Sequence, residues 1–374
     1  MFRDTLTRWF VQRVLLPRQE IIDIPGSIIE EVTLRGKSFK IRDFALPESL
    51  FVNLEVLFKK YAKELYCIGK SFGYNYAKML DLPRYSRVSE GKFLTFATFF
   101  TRYVEAVYSS KMEANVSLHE KRYESKMKDY IICSKNGLGY LFSTGGIAGI
   151  WAYVIEDLSV EAVQPKCQGR GDPFCNVVVA PFDALVKEGY SPLKCSNLLT
   201  FDMSNEYFSL NKLANASETG ARYSLKDLID MQFLRYSHGQ IQWSTERFFL
   251  VESSFMYILE KVLSRLDDYN NLYSVSFDCG KLLYSLSKNQ NPVKFILDFF
   301  PALGFGSITA LKKGGRHHIY INHFPWTEWW RDIEYTMVRG IFSGILSAGE
   351  GREVHLKLVS RDISQGYLSL HFSE

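Results

Sequence analysis

No run of apolar residues in this chain is long enough to suggest a membrane crossing. The nearest, Gly137 to Ile155, is uncharged but holds five glycines together with Ser143 and Thr144. A bilayer asks for about 20 mainly apolar residues, so the stretch reads as a buried core helix. The first twenty residues, MFRDTLTRWFVQRVLLPRQE, mix Arg and Asp into an amphipathic pattern and lack the charged start and unbroken apolar stretch of a secretory signal. Charge of one sign is also missing: 45 basic and 41 acidic residues are spread along the chain for a net +4. With no long basic run, direct nucleic-acid binding is not expected. Cysteine is scarce, with Cys67, Cys133, Cys167, Cys175, Cys195 and Cys279 scattered over 374 residues. Without a secretory signal, that usage favours reduced thiols or metal ligands over a disulfide framework, and a cytoplasmic location is expected.

Signatures of catalysis are lacking too. There is no GxxxxGK[ST] phosphate loop, no GxSxG elbow and no HExxH pair, and Gly137-Leu-Gly-Tyr lacks the third glycine of a dinucleotide fingerprint. A binding or sensory protein is therefore favoured over an enzyme.

What is present is a folded composition, 47% hydrophobic and 23% charged, with 28 Phe and 22 Tyr feeding large apolar cores. The length exceeds what one core usually serves, and the order of features recurs. An extended stretch at Phe39–Arg42 precedes a helix opened by Pro47 and Glu48 with Leu50, Leu54, Leu57, Tyr61 and Leu65 on one face. Gln240–Trp243 likewise precedes a helix carrying Phe248, Phe255, Leu259, Val262 and Leu266, with Ser244 as its cap. Each copy continues into a hairpin, Asn115–His119 with Asp129–Ser134 and Ser307–Leu311 with His317–Asn322, the second turned by Lys312-Lys313-Gly314-Gly315. A glycine-bearing helix follows, marked by Gly145, Gly146 and Gly149 and by Gly340 and Gly344. Two strands close each copy: Ser159–Gln164 with Asn176–Ala180, and Glu353–Val359 with Tyr367–Phe372. The expectation is an α+β chain of two tandem modules, 1–185 and 222–374, joined by a connector over 186–221, each a helical layer on an antiparallel sheet.

Gly145-Gly-Ile-Ala-Gly-Ile-Trp, followed by Cys167-Gln-Gly-Arg-Gly-Asp-Pro-Phe-Cys175, resembles the 4-vinyl-reductase (4VR) domain family, most specifically in its Cys-x-x-x-Gly-Asp-x-x-Cys ending. The tandem arrangement resembles the sensory region of xylene- and phenol-responsive activators. The resemblance implies a fold like that of the TRAPP tethering subunits, often dimeric, with a buried pocket for an apolar ligand. It also implies a zinc site near both hairpin cysteines, although Tyr140 and Gln164 stand where two further ligands belong. Cys133 on the preceding strand is the candidate third ligand. Cys167 and Cys175 thus have three readings: small buried residues beside a tight turn, zinc ligands, or a regulatory disulfide.

The densest chemistry is Arg316-His-His-Ile-Tyr-Ile-Asn-His-Phe-Pro-Trp-Thr-Glu-Trp-Trp. His317 and His318, adjacent on a strand, point to opposite faces and make a poor metal pair. His323, Trp326, Trp329 and Trp330 suit the wall of a pocket for an apolar or aromatic molecule with a polar handle. The alternative is that Trp329 and Trp330 open a core-facing helix. The function expected is a small-molecule sensor or regulatory protein acting through a protein partner or self-association. Its rivals are an assembly or tethering subunit, and a reductase of tetrapyrrole or aromatic metabolism.

Overall fold

The computed structural model describes residues 20–34, 37–109, 111–130, 141–201, 220–237, 240–288, 291–325, 332–364 and 367–374. In chain order the strands are β1 (Glu20–Ile24), β2 (Ser27–Leu34), β3 (Lys37–Pro47), β4 (Lys111–Ser117), β5 (Arg122–Lys128), β6 (Val160–Lys166) and β7 (Cys175–Pro181). They continue as β8 (Arg235–Ser237), β9 (Gln240–Trp243), β10 (Glu246–Glu252), β11 (Ser307–Lys313), β12 (Arg316–Phe324), β13 (Lys357–Ser364) and β14 (Tyr367–Ser373). The helices are α1 (Glu48–Leu57), α2 (Ala62–Met79), α3 (Glu90–Tyr108), α4 (Leu141–Ile155), α5 (Phe182–Lys187), α6 (Leu225–Asp230), α7 (Ser254–Leu263), α8 (Asn270–Leu286), α9 (Pro292–Ala302) and α10 (Thr336–Glu350). The chain is α+β, with antiparallel sheets packed against helices. Among the described residues no helix is long and apolar enough to cross a membrane.

Two units divide the chain: Phe51–Asp202, and Glu20–Leu50 with Met203–Glu374. In the first, four antiparallel strands run in the order β4-β5-β7-β6; in the second, four run β11-β12-β14-β13. The two orders are the same, a hairpin whose second strand pairs with the last strand of a second hairpin. Each sheet comes with a tightly apposed helix pair, α2 with α4 and α8 with α10. A Cβ on Gly73 would lie 2.0 Å from the Gly146 carbonyl oxygen, and one on Gly149 would lie 2.1 Å from that of Lys70. At the second crossing, Cβ atoms on Gly280 and Gly344 would each lie 2.0 Å from a carbonyl oxygen, of Ile341 and Phe277. Only glycine admits backbones this close. The uncharged stretch ending at Ile155 forms α4, a core helix that buries Phe142, Ala148, Trp151 and Val154.

A buried glutamate meets the start of α4 and of α10. Glu55 accepts the Phe142 N–H at 3.1 Å, and Glu260 accepts the Met337 N–H at 2.9 Å. Both satisfy donors that a helix start leaves without intrahelical partners.

The boundary expected at residue 185 differs from the unit boundary, because Glu20–Leu50 sits with the C-terminal unit. There β3 pairs with β10, from Asp43 opposite Glu252 to Pro47 opposite Phe248, in a six-stranded sheet ordered β1-β2-β3-β10-β9-β8. The Ala45 N–H donates to the Leu303 carbonyl at 3.0 Å. The buried Arg42 guanidinium donates to the carbonyls of Gly26, Gly304 and His323 at 3.0, 3.4 and 2.7 Å. These long-range bonds leave no mark in local sequence pattern.

Several local expectations shift for identifiable reasons. The first hairpin is β4 with β5, turning at Leu118–Lys121 with Lys121 at φ 51°, ahead of the expected Asp129–Ser134 strand. Its register keeps Met112, Tyr123 and Met127 on the buried face. The first apolar stripe is cut by a 3-10 turn at Lys59–Tyr61, so Leu65 belongs to α2. Ser244 stands at φ 53° between β9 and β10, a turn position in place of the expected cap, and α7 starts at Ser254.

Candidate functional site

In the Phe51–Asp202 unit, helix α2 places Tyr66 and Lys70 one turn apart on a face that meets the start of β6, which carries Glu161. The Lys70 ammonium lies 2.8 Å from Glu161 Oε1, with side-chain exposures of 0% and 2%. Lys70 also donates to the Leu158 carbonyl at 3.2 Å. The Tyr66 hydroxyl donates to Glu161 Oε2 at 2.8 Å and accepts the Ala162 N–H at 2.8 Å. A third donor, the Cys195 N–H, reaches Glu161 Oε1 at 2.9 Å. Burial outweighs these donors and raises the Glu161 carboxyl above its ordinary range. Burial, with the Glu161 charge beside it, pushes the Tyr66 phenol well up.

A run without helix or strand, residues 190–201, is laid along α2. The Leu199 N–H donates to Ser71 Oγ at 3.0 Å, Asn75 Nδ2 donates to the Leu199 carbonyl at 2.7 Å, and the Phe201 N–H donates to Asn75 Oδ1 at 3.2 Å. Between this run and the β6 start lies a cleft of about 790 Å³, lined among others by Tyr74, Leu158, Glu161, Lys194, Cys195 and Asn197. Of the ion pair, Glu161 is the member that lines it. Cationic Lys194 and the hydrogen-bonding Ser159, Ser196, Asn197 and Thr200 stand beside apolar Leu158 and Leu198. Such a wall can orient a small molecule that is part apolar and part polar.

The second helix crossing supplies a comparison. At the second helix crossing the Phe277 carbonyl faces Gly344 as the Lys70 carbonyl faces Gly149, and Tyr273 occupies the place of Tyr66. There His355 stacks on Phe277 at 5.7 Å and shares a hydrogen bond with the Tyr273 hydroxyl at 3.0 Å. Thus the helix crossing does not itself require a buried charge. Desolvating an ion pair costs several kcal/mol per ion before the attraction is counted, which gives the Lys70–Glu161 pair the character of a site feature.

The chain matches no protein-family model and no curated protein.

Of the residues expected to bind ligand or metal, Trp326, Trp329, Trp330 and Cys133 lie outside the described residues. His323 is at φ 56°, with its carbonyl taken by Arg42; burial, aided by the Arg42 charge, lowers its imidazole pKa. It belongs to the C-terminal unit and takes no part in the cleft. His317 and His318 do face opposite ways: His317 is buried with Nε2 2.6 Å from Glu350, whereas His318 meets His371 at 3.2 Å. Cys167 and Cys175 are fully buried and flank the 3-10 turn Gln168–Arg170. The Cys167 N–H donates to Asp172 Oδ2 at 2.8 Å, and Cys175 Sγ accepts the Gln168 N–H at 3.4 Å. Among the described residues no three His, Cys, Asp or Glu gather for a metal. The two sulfurs offer half of a closed tetrahedral zinc set, so zinc with Cys133 as third ligand stays a proposal drawn from the resemblance.

Sequence reasoning missed Tyr66, Lys70, Glu161 and Cys195. Lys70 did carry a signal: it is a lone charge within Ile68-Gly69-Lys70-Ser71-Phe72-Gly73, where glycine spacing marks a helix face with no room for solvent. Cys195 carried none, because it falls in a stretch that reads as connector.

Proposed function

We propose that this chain is a cytoplasmic small-molecule-binding regulatory protein of the 4-vinyl-reductase-domain kind, acting through a protein partner or through self-association. Its ligand site is the cleft between residues 194–200 and the start of β6. The ligand is an aromatic or otherwise largely apolar molecule with an anionic or hydroxyl handle, held by Lys194 and Asn197 against Leu158 and Leu198. The observation that carries this reading is the buried Lys70–Glu161 pair, whose Glu161 lines the cleft and whose Lys70 has Phe277 as its counterpart at the second helix crossing. The recurrent strand order of the two four-stranded sheets supports the tandem-module reading.

A thermal-shift series with aromatic carboxylates and phenols tests it, since a ligand of the native state raises the melting temperature with concentration. At least one compound is expected to do so saturably, and Asn197→Trp, which fills the cleft, is expected to abolish the shift without unfolding the protein. A panel without a saturable binder, or a shift that survives in Asn197→Trp, overturns the assignment.

A further inference from the structure

The histidine-rich strand holds one pair that the proposed ligand cleft does not use. His318 on β12 stands opposite Ser373 of β14, and His371 lies two residues back along β14. The two side chains therefore share a sheet face as diagonal neighbours. That face is turned away from the core, because the alternate residues Ile319, Ile321, Leu370 and Phe372 are buried. His318 and His371 are themselves partly exposed. His318 Nδ1 lies 3.2 Å from His371 Nε2, with the ring planes at 23°. Tyr320, directly opposite His371 in the register, stacks on its ring at 4.2 Å and 9°. That contact fixes the orientation of the imidazole.

We propose that His318 and His371 form a two-histidine chelate for a divalent transition ion of the kind that favours imidazole: copper(II), nickel(II) or zinc. Two donor nitrogens, each about 2.0–2.1 Å from one ion, stand about 2.9–3.4 Å apart for bond angles between square-planar and tetrahedral. The observed separation of 3.2 Å falls inside that range. Neighbouring paired strands hold the two side chains at this spacing, so the ion has little chain to order. His317 and His318 lack this property, since adjacent residues on a strand face opposite ways.

Ligation takes neutral imidazoles. Burial and the His318 charge lower the His371 imidazole pKa, so at pH 7.5 that ring is in its ligand form. One N–H makes the hydrogen bond between the facing nitrogens. On binding, that proton passes to the outer nitrogen of the same ring by exchange with water, and both facing lone pairs go to the ion. The neutral pair loses no proton in the process. Among the described residues no third His, Cys, Asp or Glu joins the two, so the remaining positions go to water or to a donor from another molecule. An open set of this kind suits an exchangeable ion, in contrast to the closed set of a structural zinc site. Copper(II) is expected to bind most tightly, following the general order of divalent ions at nitrogen sites.

Calorimetric titration of the metal-free, full-length protein with nickel(II) at pH 7.5 tests the proposal. Saturable binding is expected, weakened at least about tenfold in His318→Ala and in His371→Ala, since even outer-shell changes at a metal site cost that much. His355→Ala is expected to bind as the wild type does, because its imidazole meets Tyr273 and Phe277 and no second histidine. On the wild type alone, the copper(II) electron paramagnetic resonance spectrum is expected to show coupling to two imidazole nitrogens. Three results overturn the proposal: no saturable nickel binding to wild type, binding unchanged in both histidine variants, or a copper spectrum without two nitrogen donors. The wild-type spectrum needs no variant to fold. Neither measurement involves the ligand cleft, so its outcome is independent of the function proposed above.

Discussion

Single residues carry two kinds of buried charge in this protein. Lys70 and Glu161 neutralise each other at 2.8 Å, and at the second helix crossing the place of Lys70 is filled by Phe277. Glu260 instead caps a helix: it is buried, takes the Met337 N–H, and burial raises its carboxyl from 4.5 to about 7. The folded chain therefore binds more protons at this site than the unfolded chain between those two pH values, and unfolding free energy falls as pH rises through that window. The stabilising contribution is complete below about 4.5 and lost above about 7. Glu260→Gln keeps an oxygen for the Met337 N–H but cannot titrate. In urea unfolding at pH 5 and pH 7.5, the stability of wild type relative to Glu260→Gln is expected to drop by on the order of 3 kcal/mol across the interval. A difference that stays constant shows that Glu260 titrates normally.

At the scale of elements, the helix crossings hold each unit's layers in register, and glycine position decides what each tolerates. A Cβ on Gly145 would meet the Tyr66 carbonyl oxygen at 2.2 Å, whereas its neighbour Gly146 would meet nothing nearer than the Gly69 carbonyl oxygen at 3.8 Å. Gly145→Ala is expected to force α2 and α4 apart and to destabilise by about 1–3 kcal/mol, the usual cost of overpacking. Gly146→Ala is expected to be neutral or to stabilise by up to about 1 kcal/mol, since alanine is the better helix former and finds ordinary contact distance. Paired thermal melts of the two variants decide the matter, and equal effects would contradict the crossing geometry. The tightness of this contact also explains how α2 can present Tyr66 and Lys70 to β6 while Ser71 and Asn75 pin residues 199–201.

Across the whole molecule the division into units does not follow chain order. Strand β3 completes the sheet that β10 belongs to, so a fragment beginning at Arg222 leaves the β10 edge of Phe248, Leu250 and Glu252 without its partner. Open apolar edges of that kind recruit other chains. Residues 222–374 expressed alone are expected to aggregate, and co-expression of residues 20–50 is expected to restore soluble protein, measured by size-exclusion chromatography. A monodisperse 222–374 fragment would mean that β3 is dispensable to the C-terminal unit. The residues of the proposed ligand cleft all fall in the Phe51–Asp202 unit.

The sequence by itself determined the α+β class and the opposed faces of His317 and His318. Both follow from short-range periodicity and turn chemistry, which a chain displays whatever its distant contacts. Tertiary structure alone decided that β3 pairs with β10, because the edge that accepts a strand is chosen by hydrogen bonds between residues some 200 positions apart. It likewise decided that Tyr66, Lys70 and the Cys195 N–H meet on Glu161. Lys70 and Glu161 are legible as odd charges in apolar surroundings, but which charge answers which depends on the crossing of α2 with the strand layer. Cys195 gains its role from a loop whose local sequence says nothing about the helix it lies against.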